Sequence, residues 1–325
     1  MKRHAILFLV ICLGYLCTLN ATDFGSIRDG QVMLDMAVNL HQFGDLIVGY
    51  TLDQDKGIIP EVGGGGRYGV GYSLVEQIPI LFVGPVERIF GEGSSNVLFP
   101  MTNMLVIGLT ALLVALSLQA MGRPFRTGAL AAAAFAFGTF VWPYVSYDFS
   151  EPVQGLCVAA AFFFSVRAAK GRPASRLDLA MAATALGFGV MTKPTLLILA
   201  PAFALYLWTG LTGPARRRAL TFAWFGLTLA AWGLLIAGVN LHRFGSFLEF
   251  GYGRESGQFT TPLAAGLYYL LLGPNRGLVP YAPVALMLPW GLWAARRVDR
   301  REVILLASLL AALVLVIAKW WGWEG

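Results

Sequence analysis

Charged side chains are scarce in this sequence. Asp, Glu, Lys and Arg make up 13% of the 325 residues, whereas 57% are hydrophobic. A soluble globular domain carries about 25% charged residues, so this chain has too little polar surface to cover a body that faces water. The composition excludes an ordinary soluble domain and indicates helices that pack against each other in lipid.

Cysteine and histidine are equally rare, with three of each. Cys12, Cys17 and Cys157 all lie in apolar runs, and neither a CxxC pair nor a Cys/His cluster occurs. Structural zinc sites and disulfide frameworks need such spacings. We therefore expect the cysteines to act as small apolar packing residues, and the sequence contains no pattern typical of a metal site.

The chain contains nine apolar segments, of which the fifth and sixth are short and could form one long kinked helix. The basic residues concentrate in five groups beside the ends of these segments, at 2–3, 123–126, 167–176, 216–218 and 296–301. This placement accounts for the net charge of +6 without a nucleic-acid partner. The nine segments lie near 5–20, 98–120, 128–146, 152–168, 178–192, 195–210, 219–240, 280–295 and 303–319.

The five basic groups also predict the topology. Cytoplasmic loops of membrane proteins are enriched in Lys and Arg, and all five groups fall on the cytoplasmic side if all nine segments span. If the fifth and sixth segments formed a single span, the last two basic groups would lie on the opposite side of the membrane from the first three. We therefore predict an all-α, multi-pass membrane protein with a cytoplasmic N-terminus. We expect the first segment to be an uncleaved helix, with a signal peptide as the alternative.

This topology divides the chain into a single membrane domain with one large outer loop. Residues 1–20 form the first transmembrane helix, 21–97 the outer loop, 98–319 transmembrane helices two to nine, and 320–325 an outer-face end. The loop contains ten acidic and four basic residues. Apolar residues at helical spacing predict an amphipathic helix over 29–43. A second helix over 72–90 is expected to lie on or dip into the outer leaflet.

Two further features concern the outer face. A run of four glycines at 63–66 predicts a flexible break, although such a run also occurs in phosphate-binding loops. Residues 241–279 are predicted to form a second outer loop. Carboxylates, cations and aromatic residues gather on this face. Aromatic residues are typical of the membrane interface, whereas ionisable residues at membrane depth are often functional.

Carboxylates and cations on one membrane face suit the transfer of a sugar from a lipid phosphate. The acceptor hydroxyl must lose a proton, which one positioned carboxylate can accept as general base. The leaving phosphate is a weak base and needs cations to stabilise its charge. Hydrolysis of a soluble glycoside, in contrast, generally needs two carboxylates.

Several motifs together resemble the glycosyltransferase C superfamily, particularly bacterial members related to protein O-mannosyltransferases and the lipid A aminoarabinose transferase. The resemblance covers essentially the whole chain. It implies a polyprenyl-phosphate sugar donor, a hydroxyl acceptor on a glycolipid, polysaccharide or protein, inversion at the anomeric carbon, and location in the bacterial inner membrane with the site on the periplasmic face. The motifs lie at 28–34, 67–74, 142–152, 191–194, 243–246, 251–253 and 273–278.

The resemblance also implies roles for individual residues. The catalytic carboxylate of the family corresponds to Asp29, with Asp23 as the second candidate. Many relatives carry another acid directly after the first, where this chain has Gly30, which leaves the requirement for a divalent metal open. Lys193 and Arg276 correspond to the cations that contact the lipid phosphate. Four further residues are expected to line the site, namely Tyr68, Glu151, Arg243 and Tyr252.

Each candidate residue also has a structural interpretation. Asp29 fits the acidic first turn of a helix, Lys193 fits a lysine that extends to the membrane interface, and Arg276 fits an interfacial anchor. Two other functions stay open for the whole chain, a transporter or lipid flippase and a non-catalytic fragment. Relatives continue beyond residue 325 with further helices, so we expect this chain to be truncated at its C-terminus.

Overall fold

The computed structural model describes residues 2–20, 28–48, 50–53, 57–60, 68–171, 175–252, 257–274 and 277–321. The predicted glycine break at 63–66 lies outside these ranges. Within them the fold is helical, apart from one small antiparallel hairpin in the first loop. The hairpin pairs β1 (Tyr50–Asp53) with β2 (Gly57–Pro60) and was not predicted from the sequence.

Fourteen α-helices occur in the described ranges. The first four are α1 (Lys2–Leu16), α2 (Arg28–Phe43), α3 (Gly71–Val75) and α4 (Gln77–Phe90). The bundle follows with α5 (Leu98–Ala120), α6 (Phe125–Gly138), α7 (Glu151–Lys170), α8 (Arg176–Thr192), α9 (Ala200–Gly210) and α10 (Ala215–Phe244). The last four are α11 (Leu263–Leu272), α12 (Leu278–Tyr281), α13 (Leu288–Ala295) and α14 (Arg300–Lys319).

Four of the helical stretches in the described ranges are long and apolar enough to cross a membrane. They are Ser94–Ala120, Glu151–Lys170, Ala215–Phe244 and Arg300–Lys319. A 23-residue helix such as α5 is about 35 Å long, which exceeds the hydrocarbon thickness of about 30 Å. Much of α10 is uncovered, with Leu220, Leu227 and Leu234 exposed. An apolar surface of this extent indicates a membrane protein.

Every predicted apolar segment contains helix, although three regions differ from the prediction. In the third segment, predicted over 128–146, α6 already ends at Gly138. The eighth segment is divided into α12, a 3₁₀ turn over Pro283–Met287 and α13, because a proline inside a helix removes a backbone hydrogen bond. The predicted outer loop at 241–279 contains α11, a ten-residue apolar helix. It packs against the end of α14, where Thr261 donates its backbone N–H to the Lys319 carbonyl at 3.1 Å.

The core of the bundle is formed by α5, α7, α8, α9, α10 and α14, with α1 and α6 packed beside α5. Small residues such as Ala161, Ala182 and Ala183 are buried at the α7–α8 contact. Small side chains let helix backbones approach closely, which is how helices associate where lipid removes most of the hydrophobic driving force.

A network of charges joins the loops at one end of the bundle. The buried Asp299 forms ion pairs with Arg123, which follows α5, and with Lys170, which ends α7. Lys170 also lies 3.4 Å from Glu302, whose carboxylate accepts the hydroxyl of Tyr206 at 2.8 Å. Three loops that carry basic groups and the last part of α9 therefore meet at this end, which we call the basic end.

At the opposite end the first loop folds over the bundle. The Ser73 hydroxyl donates to the Met33 carbonyl at 2.7 Å and Gln77 donates to the Ala37 carbonyl at 2.8 Å, so α2 lies against α3 and α4. The imidazole of His242, near the end of α10, is 3.0 Å from the carboxylate of Asp45. We call this end the loop end.

Candidate functional site

The start of α2 packs directly against the link between α6 and α7. A Cβ atom added at Gly30 would lie 2.0 Å from Cγ of Asp148 and 2.3 Å from its backbone oxygen. Only glycine permits this approach, because ordinary contacts begin near 3.4 Å. Asp29, beside Gly30 in the first turn of α2, is half-buried. The catalytic candidate of the first loop is thereby held next to a buried carboxylate that lies more than a hundred residues away in the chain.

Residues 68–72 pack in the same way against the end of α8. A Cβ atom at Gly69 would lie 2.3 Å from the Met191 carbonyl oxygen, and one at Gly71 would lie 2.1 Å from the Thr192 hydroxyl. Tyr68, a predicted lining residue, is buried at this contact. The first loop is thus fitted closely to the turn that carries Lys193.

Asn103 of α5 fixes the link that contains Asp148. Its side-chain amide donates to the Tyr147 carbonyl at 2.7 Å, and its side chain is hydrogen-bonded to the hydroxyl of the buried Tyr72. A buried amide that satisfies groups on two other segments restricts both of them. Tyr72 and Tyr147 are therefore held in one arrangement around Asp148.

Lys193 is the cation at the centre of this face. Its Nζ lies 5.6 Å from the ring centroid of Tyr252, and its side chain is half-buried. Burial by itself lowers the pKa of Lys193, but Tyr252 and the negative charges of Glu151 and Asp29 outweigh it, so the pKa lies above its ordinary value. Lys193 therefore carries a stable positive charge within electrostatic reach of two predicted carboxylates.

Glu76 is the least expected member of the group. It lies between α3 and α4 and is only 2% exposed, and neither carboxylate oxygen has a hydrogen-bond partner among the described residues. Burial raises its pKa well above the ordinary value, and the nearby Asp148 and Asp35 raise it further. A buried carboxyl among like charges favours its protonated form, so Glu76 holds its proton to a higher pH than an exposed glutamate does.

Arg243 lies in the last turn of α10, beside the turn that carries Lys193. Its guanidinium lies 3.4 Å from the sulfur of Met36 in α2 and 4.6 Å from the ring centroid of Phe244. The side chain is buried and borders a void of about 10 Å³ that Gly69 and Pro194 also line. Arg243 therefore connects α2 with the turn on which Lys193 lies.

The structure brings most of the predicted site residues to the loop end. Asp29, Glu151 and Lys193 interact electrostatically, and Glu151 is exposed in the first turn of α7. Tyr68, Arg243 and Tyr252 contact the same turn or lie beside it. Asp23 and Arg276 lie outside the described residues, so their predicted roles stay predictions.

The sequence did not lead us to expect Glu76 or Asn103 in this site, or the burial of Asp148. Asp148 lies in the short polar stretch between two predicted spans, yet it is completely buried. Glu76 did carry a signal, since it is a lone acid within the apolar stretch 72–83. Asn103 likewise lies within a mostly apolar span. Ionisable or amide groups inside apolar segments need partners in the folded chain.

A divalent metal, which the resemblance left open, does not fit the described residues. They contain no group of three or more His, Cys, Asp or Glu side chains that could hold a metal ion. We therefore assign no chemical step to a metal. The arrangement offers a half-buried carboxylate and a lysine ammonium beside a buried carboxyl with a raised pKa. The first two can accept a proton and bind an anion.

Comparison of the chain with protein-family models, curated proteins and solved structures finds no match.

Proposed function

We propose that this chain is a membrane glycosyltransferase that moves a sugar from a polyprenyl-phosphate donor to a hydroxyl acceptor. The observation that carries the proposal is the meeting of Asp29, Glu151 and Lys193 at the loop end of an apolar helix bundle. The headgroup of a membrane lipid lies where such a bundle ends. An enzyme that transfers a sugar from a lipid phosphate therefore needs its proton-accepting carboxylate at the depth of that phosphate.

The proposed topology has nine spans and a cytoplasmic N-terminus. The contacts of Asp299 with Arg123 and Lys170 support it, because they join basic loops at one end of the bundle. The hydrogen bond between His4 and Gln119, 3.0 Å long, brings the first basic group to the same end. Cytoplasmic loops are the basic ones, so the loop end faces the periplasm when the chain lies in a bacterial inner membrane.

The proposed mechanism is a single displacement with inversion. Asp29 accepts the proton of the acceptor hydroxyl as the oxygen attacks the anomeric carbon. The bond from that carbon to the phosphate oxygen breaks, and the Lys193 ammonium stabilises the negative charge that develops on the phosphate. Arg276 is proposed as a second phosphate ligand from the resemblance alone. The close contacts at Gly30 and Gly71 and the hydrogen bonds of Asn103 hold these groups in position.

Transfer from a labelled donor tests this proposal. The purified chain is reconstituted in vesicles with a radiolabelled polyprenyl-phosphate sugar and an extract of acceptor glycolipids, and the label that leaves the donor is measured. Asp29→Asn is expected to reduce transfer by about 10²–10⁴-fold, the usual contribution of a general base. Glu92→Gln, an exposed acid of the same loop, is the matched control. Transfer by Asp29→Asn at the wild-type rate would contradict the role of Asp29 as general base.

A transporter or lipid flippase is the second candidate, and Glu76 favours it. Buried carboxyls that hold a proton are typical of proton-coupled transport. Glu76 lies near the loop end, however, rather than midway along a spanning helix. Vesicles that contain the chain and a fluorescent lipid phosphate separate the two functions. Movement of the lipid between leaflets that Glu76→Gln abolishes, without any sugar transfer, would favour transport.

A further inference from the structure

The exposed side of α9 ends between two arginines at the basic end. Leu205, Trp208 and Thr209 follow one another on that side at helical spacing, and all three are exposed. Arg218, in the first turn of α10, lies with its guanidinium 5.1 Å from the ring centroid of Trp208. Arg301, in the first turn of α14, donates to the Thr209 hydroxyl at 3.3 Å. We call the surface formed by these five residues the arginine face.

Contacts with α9 hold both arginines in place. Arg301 also donates to the Tyr206 carbonyl at 2.6 Å, and its guanidinium lies 4.9 Å from the Tyr206 ring centroid. A Cβ atom at Gly210 would lie 2.5 Å from one nitrogen of that guanidinium, so Arg301 fits closely against the end of the helix. Nε of Arg218 is buried and has no hydrogen-bond partner among the described residues. A charge that only orients a chain in the membrane needs no such fixed position.

Within the described part of the chain, neither of the two flanking arginines forms an ion pair. The acids at the start of α14, Asp299 and Glu302, are buried, and their ion pairs are with Arg123 and Lys170. The loop 211–214 between α9 and α10 contains no acid. The arginine face therefore presents two positive charges that attract an anion.

The apolar residues beside the arginine face place it at the surface of the membrane. Leu205 and Ile304 are exposed, and each lies about one helical turn from the guanidinium groups toward the middle of the bundle. Tryptophan is typical of the depth at which lipid headgroups lie, which is where Trp208 places the two arginines. An anion with a hydrocarbon part matches this surface, whereas nucleic acid or an acidic protein loop offers no hydrocarbon chain.

Arginine suits a phosphate better than lysine does. Its planar guanidinium donates two parallel hydrogen bonds to one phosphate group, whereas a lysine ammonium acts as a point charge. All five basic residues at 216–218 and 300–301 are arginine. Either Lys or Arg is sufficient to set the orientation of a membrane protein, so the use of arginine alone favours phosphate recognition.

We propose that the arginine face binds the headgroup of an anionic phospholipid in the membrane leaflet at the basic end. The headgroup lies across the last turn of α9, between Arg218 and Arg301, and its acyl chains extend along Leu205 and Ile304. A lipid in this position connects α9 with α10 and α14, so its binding also stabilises the folded chain. The inference depends neither on sugar transfer nor on which side of the membrane the basic end faces.

Titration of the chain with phosphatidylglycerol in detergent, followed by native mass spectrometry, tests the proposal. We expect tighter binding of phosphatidylglycerol than of phosphatidylcholine, whose choline group neutralises the phosphate charge. Arg218→Gln/Arg301→Gln should weaken the binding of phosphatidylglycerol by about 25-fold, because each arginine near an anionic lipid contributes about fivefold.

The matched control is Arg3→Gln/Arg126→Gln. These two exposed arginines also belong to basic groups, but they lie on α1 and α6, which pack beside α5. Charges are screened beyond about 10 Å, so the control should bind phosphatidylglycerol within about twofold of wild type.

Arg218→Lys/Arg301→Lys separates phosphate recognition from general attraction. It keeps both charges, and with them the predicted orientation, but loses the paired N–H donors. We expect it to bind phosphatidylglycerol about fivefold more weakly than wild type. Thermal unfolding without added lipid verifies that each variant folds. Arg218→Gln alone breaks no hydrogen bond among the described residues and tests the proposal even if the loss of Arg301 unfolds the chain.

Four results would overturn the inference. Equal losses in the arginine-face pair and in the control pair would assign the binding to diffuse attraction. Unchanged binding by the lysine pair would show that charge alone matters. Equal affinity for phosphatidylglycerol and phosphatidylcholine would assign the surface to the ordinary lipid shell. Displacement of phosphatidylglycerol by glycerol phosphate at a similar concentration would assign it to a soluble anion.

Discussion

Replacing Gly30 by alanine perturbs the site without removing any of its chemical groups. The added methyl would lie 2.0 Å from Cγ of Asp148 and 2.1 Å from its Oδ2, whereas ordinary contacts begin near 3.4 Å. The start of α2 must therefore move by about 1 Å or more relative to the α6–α7 link. Asp29 moves with it.

The expected effect is larger on the rate than on stability. Overpacking typically costs about 1–3 kcal/mol, which should appear as a modest loss of thermal stability in detergent. A misplacement of about 1 Å in a catalytic constellation can reduce the rate by about 10²-fold. We therefore expect Gly30→Ala to remain folded and to lose about two orders of magnitude in transfer from the labelled donor.

Gly84→Ala provides the control for this substitution. Gly84 lies in α4 of the same loop, and a Cβ atom there meets nothing within 4 Å. It should retain wild-type transfer and stability. Equal transfer by Gly30→Ala and Gly84→Ala would refute the reasoning, because it would mean that the contact between α2 and Asp148 does not set the position of Asp29.

Two further predictions concern buried charges. Glu76→Gln should stabilise the chain at neutral pH and have little effect at acidic pH, as measured by thermal unfolding across a pH series. The pKa of Glu76 is raised in the folded chain. The stability that its neutral form contributes is therefore complete below the pKa of the unfolded chain, near 4.5. This stability is lost as the pH rises through the pKa of the folded chain. A destabilised Glu76→Gln at pH 8 would contradict the raised pKa of Glu76. Asp299→Asn should lower stability by about 1–2 kcal/mol, since it leaves Arg123 and Lys170 without their shared partner, both being about one-third exposed. Lys170→Gln should cost less, because Arg123 keeps the pairing, and an unchanged melting temperature for Asp299→Asn would show that the network contributes nothing.

The sequence predicted the helices well where apolar runs were long. The prediction for 98–120 coincides with α5, and the amphipathic pattern over 29–43 coincides with α2 to within one residue. Both patterns are local, because each helix satisfies its own backbone hydrogen bonds. The nine-span topology stays a prediction, since only four stretches in the described ranges meet the length and hydropathy of a span.

Features that depend on contacts between distant segments were not predicted. The run at 263–272 is apolar but too short to cross a membrane alone, and only its packing on α14 accounts for α11. The hairpin of β1 and β2 has no alternating pattern long enough to indicate a strand. The burial of Glu76 and Asp148 arises where the first loop meets the bundle, which no spacing within either segment reveals.

The central claim is that the acidic first-loop face and the basic loops lie on opposite sides of the membrane. Single cysteines at two exposed positions test it, Glu151→Cys at the loop end and Arg217→Cys at the start of α10, in a background where the exposed Cys17 is replaced by alanine. In intact spheroplasts a membrane-impermeant thiol reagent should label Glu151→Cys, and it should label Arg217→Cys only after the membrane is permeabilised. Labelling of both positions in intact spheroplasts, or of neither, would contradict the account.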